Sequence, residues 1–333
     1  MNVVFLPQYT QSLKLGGFES QVLHIYKQLK NLGVNVKWYY EVDSFNGVDI
    51  LQVMSTDPSM QSYITKAKAD GVKVVLTPMQ GNRATPNWYL KTALAISRIP
   101  QLFTPHKLTS TLIKSADFLT PLCSFEADKM VNVYGFDTRK IQVIPNGLED
   151  SFFNDEFESL TLPFEDYYLM VGRIEHNKNQ LEAIRAITSL NRNLIIVGNP
   201  GPGKEGNDYF DLCKKCAGSN IHFWGPEYNS LKLKTLYKKA KATLIPSYSE
   251  MLPLVVFESL SMRTPVVCTN RCGISNDIIP GLIFSDVDAN SLVKKIKEFD
   301  DFDQQSITSD GIYSWVEIAK QYINVYNMVT NFK

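Results

Sequence analysis

The chain has no surplus of charge: 34 Lys and Arg stand against 34 Asp and Glu in 333 residues. A molecule without a net field has no long-range means of gathering nucleic acid, so none is expected as a partner, and a bound polyanion must be met by a local cluster. Nowhere do about eighteen apolar residues run together, which argues against a membrane-crossing helix. The opening "MNVVFLPQYT" lacks the basic start and long apolar core of a secretion signal, so a cytoplasmic protein is expected. Cysteine is scarce and odd in number, at five, which fits free thiols better than a disulfide framework. Histidine is scarcer still, at positions 24, 106, 176 and 222, and none stands with Ser, Cys or Asp in a triad-like arrangement. Internal repeats and low-complexity tracts are also missing.

What is present is a globular composition, 44% apolar and 20% charged, in a chain long enough for two cores. "NVVFL" (2–6) reads as a buried strand, and "FESQVLHIYKQLKNLG" (18–33) as a helix ending at glycine. "VNVKWYY", "DILQVM" and "VKVVLT" follow as strands, with a helix over "PSMQSYITKAKADG"; "DFLTPL", a helix from Ser124 and "KIQVIP" close the first half. Residues 148–165 are acidic and aperiodic, as a domain edge should be. Five more strands then alternate with helical patterns: "YYLMVG", "NLIIVG", "NIHFWG", "ATLIP" and "PVVCT". Alternation of this kind predicts two doubly wound parallel sheets with a cleft between them. The expected divisions are 1–150, 151–312 and a terminal helix in 313–333. That helix carries Trp315, Ile318, Tyr322, Val325 and Val329 on one face and is expected to pack back across the interface.

One short stretch resists a purely structural account. In "SYSEMLPLVVFESLSMRTPVV" (247–267), Glu258 lies in the middle of an apolar helix opened at Pro253, and Glu250 stands just before it. Ligands of doubly wound sheets bind beyond the carboxyl ends of the strands, where helices begin. The amides of Met251, Leu252, Pro253's neighbours and Leu254 would offer an anion site there, and a rise of roughly 7–8 Å along the helix carries Glu258 from a diphosphate to its ribose. "YYLMVGRIEHNKNQ" adds Arg173 and Lys178, with Asn177 and Gln180 at capping-box spacing, so that Lys178 falls in a first helical turn where only an arriving anion reverses an unfavourable sign. In the first half, Gly16 and Gly17 precede a helix and permit close ligand approach and positive φ.

The set "GGFE" (16–19), "KIQVIPNGLE" (140–149), "VGRIEHNKN" (171–179), "IIVGNPGPG" (195–203), "HFWG" (222–225) and "SEMLPLVVFES" (249–259) resembles the retaining glycosyltransferases of family 4. The resemblance implies an α/β fold of the GT-B class: two Rossmann-like domains with a cleft between them and a C-terminal helix crossing back to the first. It implies a nucleoside diphosphate sugar as donor and a glycan or polyprenyl-pyrophosphate-linked oligosaccharide as acceptor, as in surface polysaccharide or lipopolysaccharide assembly. Arg173 and Lys178 would neutralise the diphosphate, Glu258 would hold the ribose, Glu250 with the amides of Met251 to Leu254 would contact phosphate and sugar, and Gly17 would approach from the opposite wall. Glu250, Arg173 and Lys178 are the catalytic candidates, and neither a metal nor another cofactor is expected. Where relatives carry histidine in the first domain this chain has "LTPMQGNRA", leaving Gln80 and Arg83 as candidates for the sugar or acceptor contact. A sugar-nucleotide epimerase on the same fold, which would need an acid or base in the first domain's share of the cleft, and a non-catalytic nucleotide- or glycan-binding module are the rivals.

Other features have plainer accounts. Glu258 has a structural alternative, an ion pair with Arg263 or with another cation of the chain not evident from the sequence. "DVD" (286–288) and "DFD" (301–303) read as helix caps or loop acids, and Cys213 with Cys216, or Cys268 with Cys272, lack a histidine in register for zinc. Between Gly71 and Ala116 lie six Lys and Arg and no acid. That stretch is either a solvated face or a dock for an anionic acceptor at the inner face of the cell membrane.

Overall fold

The computed structural model describes residues 1–8, 17–80, 85–97, 99, 104–274, 282–299 and 311–331. They form two compact units, one of residues 1–147 with 313–333 and one of 148–312.

The first unit is built on a parallel five-stranded sheet: β1 (Asn2–Pro7), β2 (Asn35–Trp38), β3 (Ile50–Met54), β4 (Lys73–Leu76) and β5 (Phe118–Leu119), in the order β2-β1-β3-β4-β5. Burial explains that order. Every residue of β3 is buried, as a central strand covered on both faces requires, whereas β2 alternates exposed and buried and takes an edge. Helices α1 (Gly17–Asn31), α2 (Gln61–Ala69), α3 (Asn87–Ile96), α4 (Pro105–Ser115) and α5 (Ser124–Asn132) connect the strands. "KIQVIP" does not add a strand; it contributes a single bridge between Ile141 and Leu119.

The second unit has six parallel strands: β6 (Tyr168–Val171), β7 (Leu194–Val197), β8 (Ile221–Gly225), β9 (Thr243–Ile245), β10 (Val266–Thr269) and β11 (Leu282–Ser285). Their order is β11-β10-β9-β6-β7-β8, so β11 extends the five strands legible in the sequence. The helices are α6 (Gln180–Ser189), α7 (Gly203–Cys216), α8 (Ser230–Lys239), α9 (Leu254–Ser261) and α10 (Ala289–Phe299). Strand order reverses between β6 and β9 here, and between β1 and β3 in the first unit. A doubly wound sheet opens its ligand crevice at such reversals.

The last helix, α11 (Trp315–Asn331), belongs to the first unit and packs on α1. Trp315 stacks on His24 at 5.0 Å, and a Cβ at position 147 would lie 2.7 Å from its indole, so Gly147 is required. Two buried phenols tie α11 to the sheet: Tyr326 donates to Gln52 Oε1 (3.0 Å), and the Tyr322 hydroxyl lies 3.2 Å from Thr77 Oγ1. Among the described residues no helix is long and apolar enough to cross a membrane.

Candidate functional site

The loops leaving β6 and β9 meet at the switch point of the second sheet and are laced together. Tyr248 N–H donates to the Asn177 carbonyl (2.8 Å), and the Asn177 side chain donates back to the Ser249 carbonyl (3.0 Å). Asn179 is buried in the left-handed conformation, φ 59°, which asparagine tolerates better than most residues. Its amide donates to the carbonyls of Pro246 (3.0 Å) and Val287 (2.6 Å), so one side chain fixes both loops. Lys178 Nζ then closes an ion pair with Glu250 Oε1 across the same junction.

This geometry corrects the capping-box expectation. His176–Lys178 form a 3-10 turn ahead of α6, and Asn179 stands between that turn and the helix. Asn177 therefore does not cap α6, and Lys178 is not in its first turn. Gln180 instead accepts from Glu175 N–H (3.3 Å) and donates to the Arg173 carbonyl (2.8 Å), folding the loop on itself. Arg173 Nε lies 3.5 Å from Glu175 Oε2, with 40% of its side chain exposed, so that pair holds it weakly. The Lys178 chain runs over Gly172, where a Cβ would come within 3.7 Å of it.

The β9 loop enters α9 through Met251, Leu252 and Pro253. Pro253 is the N-cap residue and supplies no side-chain acceptor, so the amides of the first turn, starting at Leu254, have no side-chain cap. Glu258 lies about 6 Å further along the helix, at about 1.5 Å per residue. The residue is half-buried, with its carboxyl turned to buried Tyr237, whose hydroxyl donates to Oε2 at 2.6 Å. Burial pushes its pKa from the ordinary 4.5 up to about 7, with the Tyr237 hydrogen bond acting downward and the charge of Glu149 upward. The alternative ion pair with Arg263 is not made: Arg263 is exposed beyond the helix end with φ 57°, and Tyr237 is the donor to Glu258 among the described residues. Among the described residues no hydrogen bond or ion pair joins Glu258 to Lys178. The site thus joins Lys178 directly to Glu250, places Arg173 on the same loop, and sets Glu258 one turn into α9.

Several contributors escaped the sequence. Asn179 and Tyr237 carry the positioning just described, and Ser247, at the start of the β9 loop, has a buried Oγ with no hydrogen-bond partner among the described residues. Only Asn179 left a trace, as an asparagine ahead of a helix.

In the first unit Gly16 and Arg83 lie outside the described residues. Gly17 is the first residue of α1; its φ is not positive, and a Cβ there would meet nothing within 4 Å, so the conformational freedom expected of it is unused. Gln80 is engaged within the unit. Its amide donates to Thr56 Oγ1 (3.0 Å) and accepts from the Tyr134 hydroxyl (2.8 Å). Met79 is held at φ 57°, a strained conformation for its side chain. With Gln8, Met54 to Asp57 and Pro78 it lines a cavity of about 400 Å³ at the switch point of the first sheet. Behind it Glu126 is wholly buried, its oxygens accepting from the N–H groups of Gln80 and Leu122. Burial raises its pKa to about 7 against the downward pull of those two bonds.

The aspartate and cysteine patterns are structural where described. Asp288 accepts from Ser291 N–H (3.0 Å) at the start of α10, and the acids at 301–303 lie outside the described residues. The five cysteines are free thiols, and no cluster suited to a metal occurs among the described residues.

Comparison with known proteins agrees with the fold. Over 98% of this chain and 100% of the other, the structure of Anabaena HepE in complex with UDP superposes with a TM-score of 0.73 at 14% identity, a likeness of fold that places the chain in the GT-B class. Among curated relatives, a D-inositol 3-phosphate glycosyltransferase of Acidothermus cellulolyticus is 27% identical over 187 residues, covering 51% of this chain and 42% of its own. The GalNAc-alpha-(1->4)-GalNAc-alpha-(1->3)-diNAcBac-PP-undecaprenol alpha-1,4-N-acetyl-D-galactosaminyltransferase of Campylobacter jejuni is 30% identical over 161 residues, 45% of this chain and 43% of its own. The chain therefore matches less than half the length of these relatives. The family model for glycosyl transferases group 1 matches residues 153–301, nearly all of the second unit.

Proposed function

We propose that the protein is a retaining hexosyl-type glycosyltransferase that moves a sugar from a nucleoside diphosphate donor to a hydroxyl of a glycan or lipid-linked glycan. The observation that carries this is the Lys178–Glu250 pair at the β6/β9 switch point, beside a helix start with no side-chain cap. A pyrophosphate set there takes hydrogen bonds from the first amides of α9 and charge from Lys178 and Arg173. Sharing Lys178 with the phosphate frees Glu250 to accept from a sugar hydroxyl, and Glu258 accepts from the ribose diol. The C1–O bond to the leaving phosphate breaks and the bond from acceptor oxygen to C1 forms on the same face. The acceptor proton passes to a departing phosphate oxygen, so no side-chain base is required. Rate comes from holding the two centres together and from stabilising charge on the leaving group. The cations and amides supply that charge, so turnover without a resident metal is expected, and chelator should leave it unchanged.

The Campylobacter relative is named for a lipid-linked acceptor and HepE was solved with UDP. Those chemistries set the panel for the test: uridine and guanosine diphosphate sugars against free and polyprenyl-linked oligosaccharides, in a cytoplasmic-side assay, with product read by mass spectrometry and anomer by NMR. Donor-dependent product with the donor's anomeric configuration is the expected result. Inverted product removes the retaining mechanism, and tight donor binding without turnover points to a binding module.

A further inference from the structure

The amino ends of β4 and β5 in the first unit hold a second concentration of charge. A cavity of about 490 Å³ opens there, and its charged lining is Lys73, Asp117, Asp137, Arg139 and Lys140. It lies at the far end of the sheet from the switch point. β4 runs from Lys73 at this cavity to Leu76, roughly 10 Å away at about 3.3 Å per residue, beyond which Pro78 and Met79 line the other cavity.

Both carboxylates are already engaged. Asp117 accepts from Lys68 Nζ (2.9 Å) and from Val74 N–H (2.8 Å). Asp137 accepts from the Arg139 guanidinium, Nη2 at 2.8 Å and Nε at 3.1 Å, and from the Arg139 backbone N–H at 3.0 Å. Those bonds pull its pKa down to about 2, so it stays ionised and tethered. The ammonium groups of Lys73 and Lys140, by contrast, have no hydrogen bond or ion pair among the described residues, and Arg139 Nη1 is equally uncommitted. Two cations are thus left without a counter-charge, in a chain whose charges otherwise balance.

We propose that this cavity binds a small phosphomonoester, its phosphate set between the Lys73 and Lys140 ammonium groups and the free edge of the Arg139 guanidinium. Two unpaired cations match the charge of a phosphate dianion, whereas a single carboxylate would leave one of them unmatched. A guanidinium held by Asp137 at one edge offers parallel N–H groups at the other, the arrangement that suits phosphate oxygens. The volume is within the roughly 300–1,000 Å³ of small-molecule sites and exceeds what bare phosphate needs, so an organic body accompanies the phosphate. The inference does not rest on the proposed reaction, whose groups lie at the switch points.

The test is calorimetric titration of the full chain with glycerol 3-phosphate and with glucose 6-phosphate, using glucose as the uncharged control. Wild type should bind at least one of the two phosphates and not glucose. Lys73→Glu and Lys140→Glu should each weaken that binding at least about tenfold, because each sets a repelling charge in place of an attracting one. Both side chains are at least partly exposed, so the variants should melt like wild type. Lys178→Ala, in the other unit, should leave phosphomonoester binding unchanged. Binding of neither phosphate, binding of glucose as tight as that of its phosphate, wild-type affinity in both Glu variants, or loss of affinity in Lys178→Ala would each overturn the proposal. UDP titrated into the same variants separates this site from the proposed reaction: Lys73→Glu and Lys140→Glu should keep UDP binding, and its absence in wild type would concern the reaction alone.

Discussion

Two glutamates, one in each unit, sit near strand-to-helix turns with pKa values pushed by burial to about 7, and they are held in opposite ways. Glu126 spends both oxygens on backbone N–H groups, those of Gln80 and Leu122, and so welds the turn after β4 to the start of α5. Among the described residues Glu258 has a single side-chain donor, Tyr237, on one oxygen. An ionised carboxylate offers about four acceptor positions, so Glu258 has capacity to spare beside a helix start whose amides lack a side-chain cap. A raised pKa therefore does not by itself mark a functional group, since structural networks perturb carboxyls just as far. Spare bonding capacity next to helix-start amides without a side-chain cap is what separates the two.

The sharpest way to break the contrast is to delete each carboxylate and measure stability. Glu126→Ala strands two N–H groups at about 1–3 kcal/mol each, so a loss of about 3 kcal/mol is expected in denaturant unfolding. At pH 8 the same measurement on Glu258→Ala should show a change of about 1 kcal/mol or less, because the lost Tyr237 bond is offset by relief of a desolvated charge. Equal losses would mean that Glu258 is as structural as Glu126.

Ligand measurements should reverse the order. Glu258→Ala and Lys178→Ala are each expected to reduce donor affinity and transfer at least about tenfold, or about 1.4 kcal/mol. Glu250→Ala should lower turnover more than binding, since its partner Lys178 remains for the diphosphate. Wild-type kinetics in any of the three would remove that residue from the site.

How far the sequence disclosed this site follows from the range of the interactions involved. Periodicity exposed the two sheets and most helices, because strands buried on both faces read as apolar runs. β11 was missed because it is a four-residue run behind a Pro-Gly step. Glu250, Glu258, Arg173 and Lys178 stood out because charge in an apolar helix or a strand-to-helix turn is a local anomaly. Their pairings did not, since Tyr237 lies 21 residues from Glu258 and Lys178 lies 72 from Glu250. Asn177 was misread as a cap because nothing local says that Asn179 will turn left-handed and take both loops.

The pH dependence of donor binding is the smallest expected effect and the one that discriminates best. Both carboxyls have folded pKa values above the ordinary 4.5, so each contributes stability present below pH 4.5 and lost as pH rises through about 7. Wild type should therefore lose stability between pH 5 and pH 8, and Glu126→Gln and Glu258→Gln should each flatten part of that decline. Donor binding has the opposite sign at Glu258 alone. Ribose hydroxyls donate to the ionised carboxyl and lower its pKa on binding, so affinity should rise with pH through about 7, by at most about tenfold per unit of pKa change. Glu258→Gln should abolish that rise and Glu126→Gln should retain it, as read by calorimetric titration with a nucleoside diphosphate sugar. A rise that persists in Glu258→Gln would assign the titration elsewhere and leave the two glutamates distinguished by their hydrogen bonds alone.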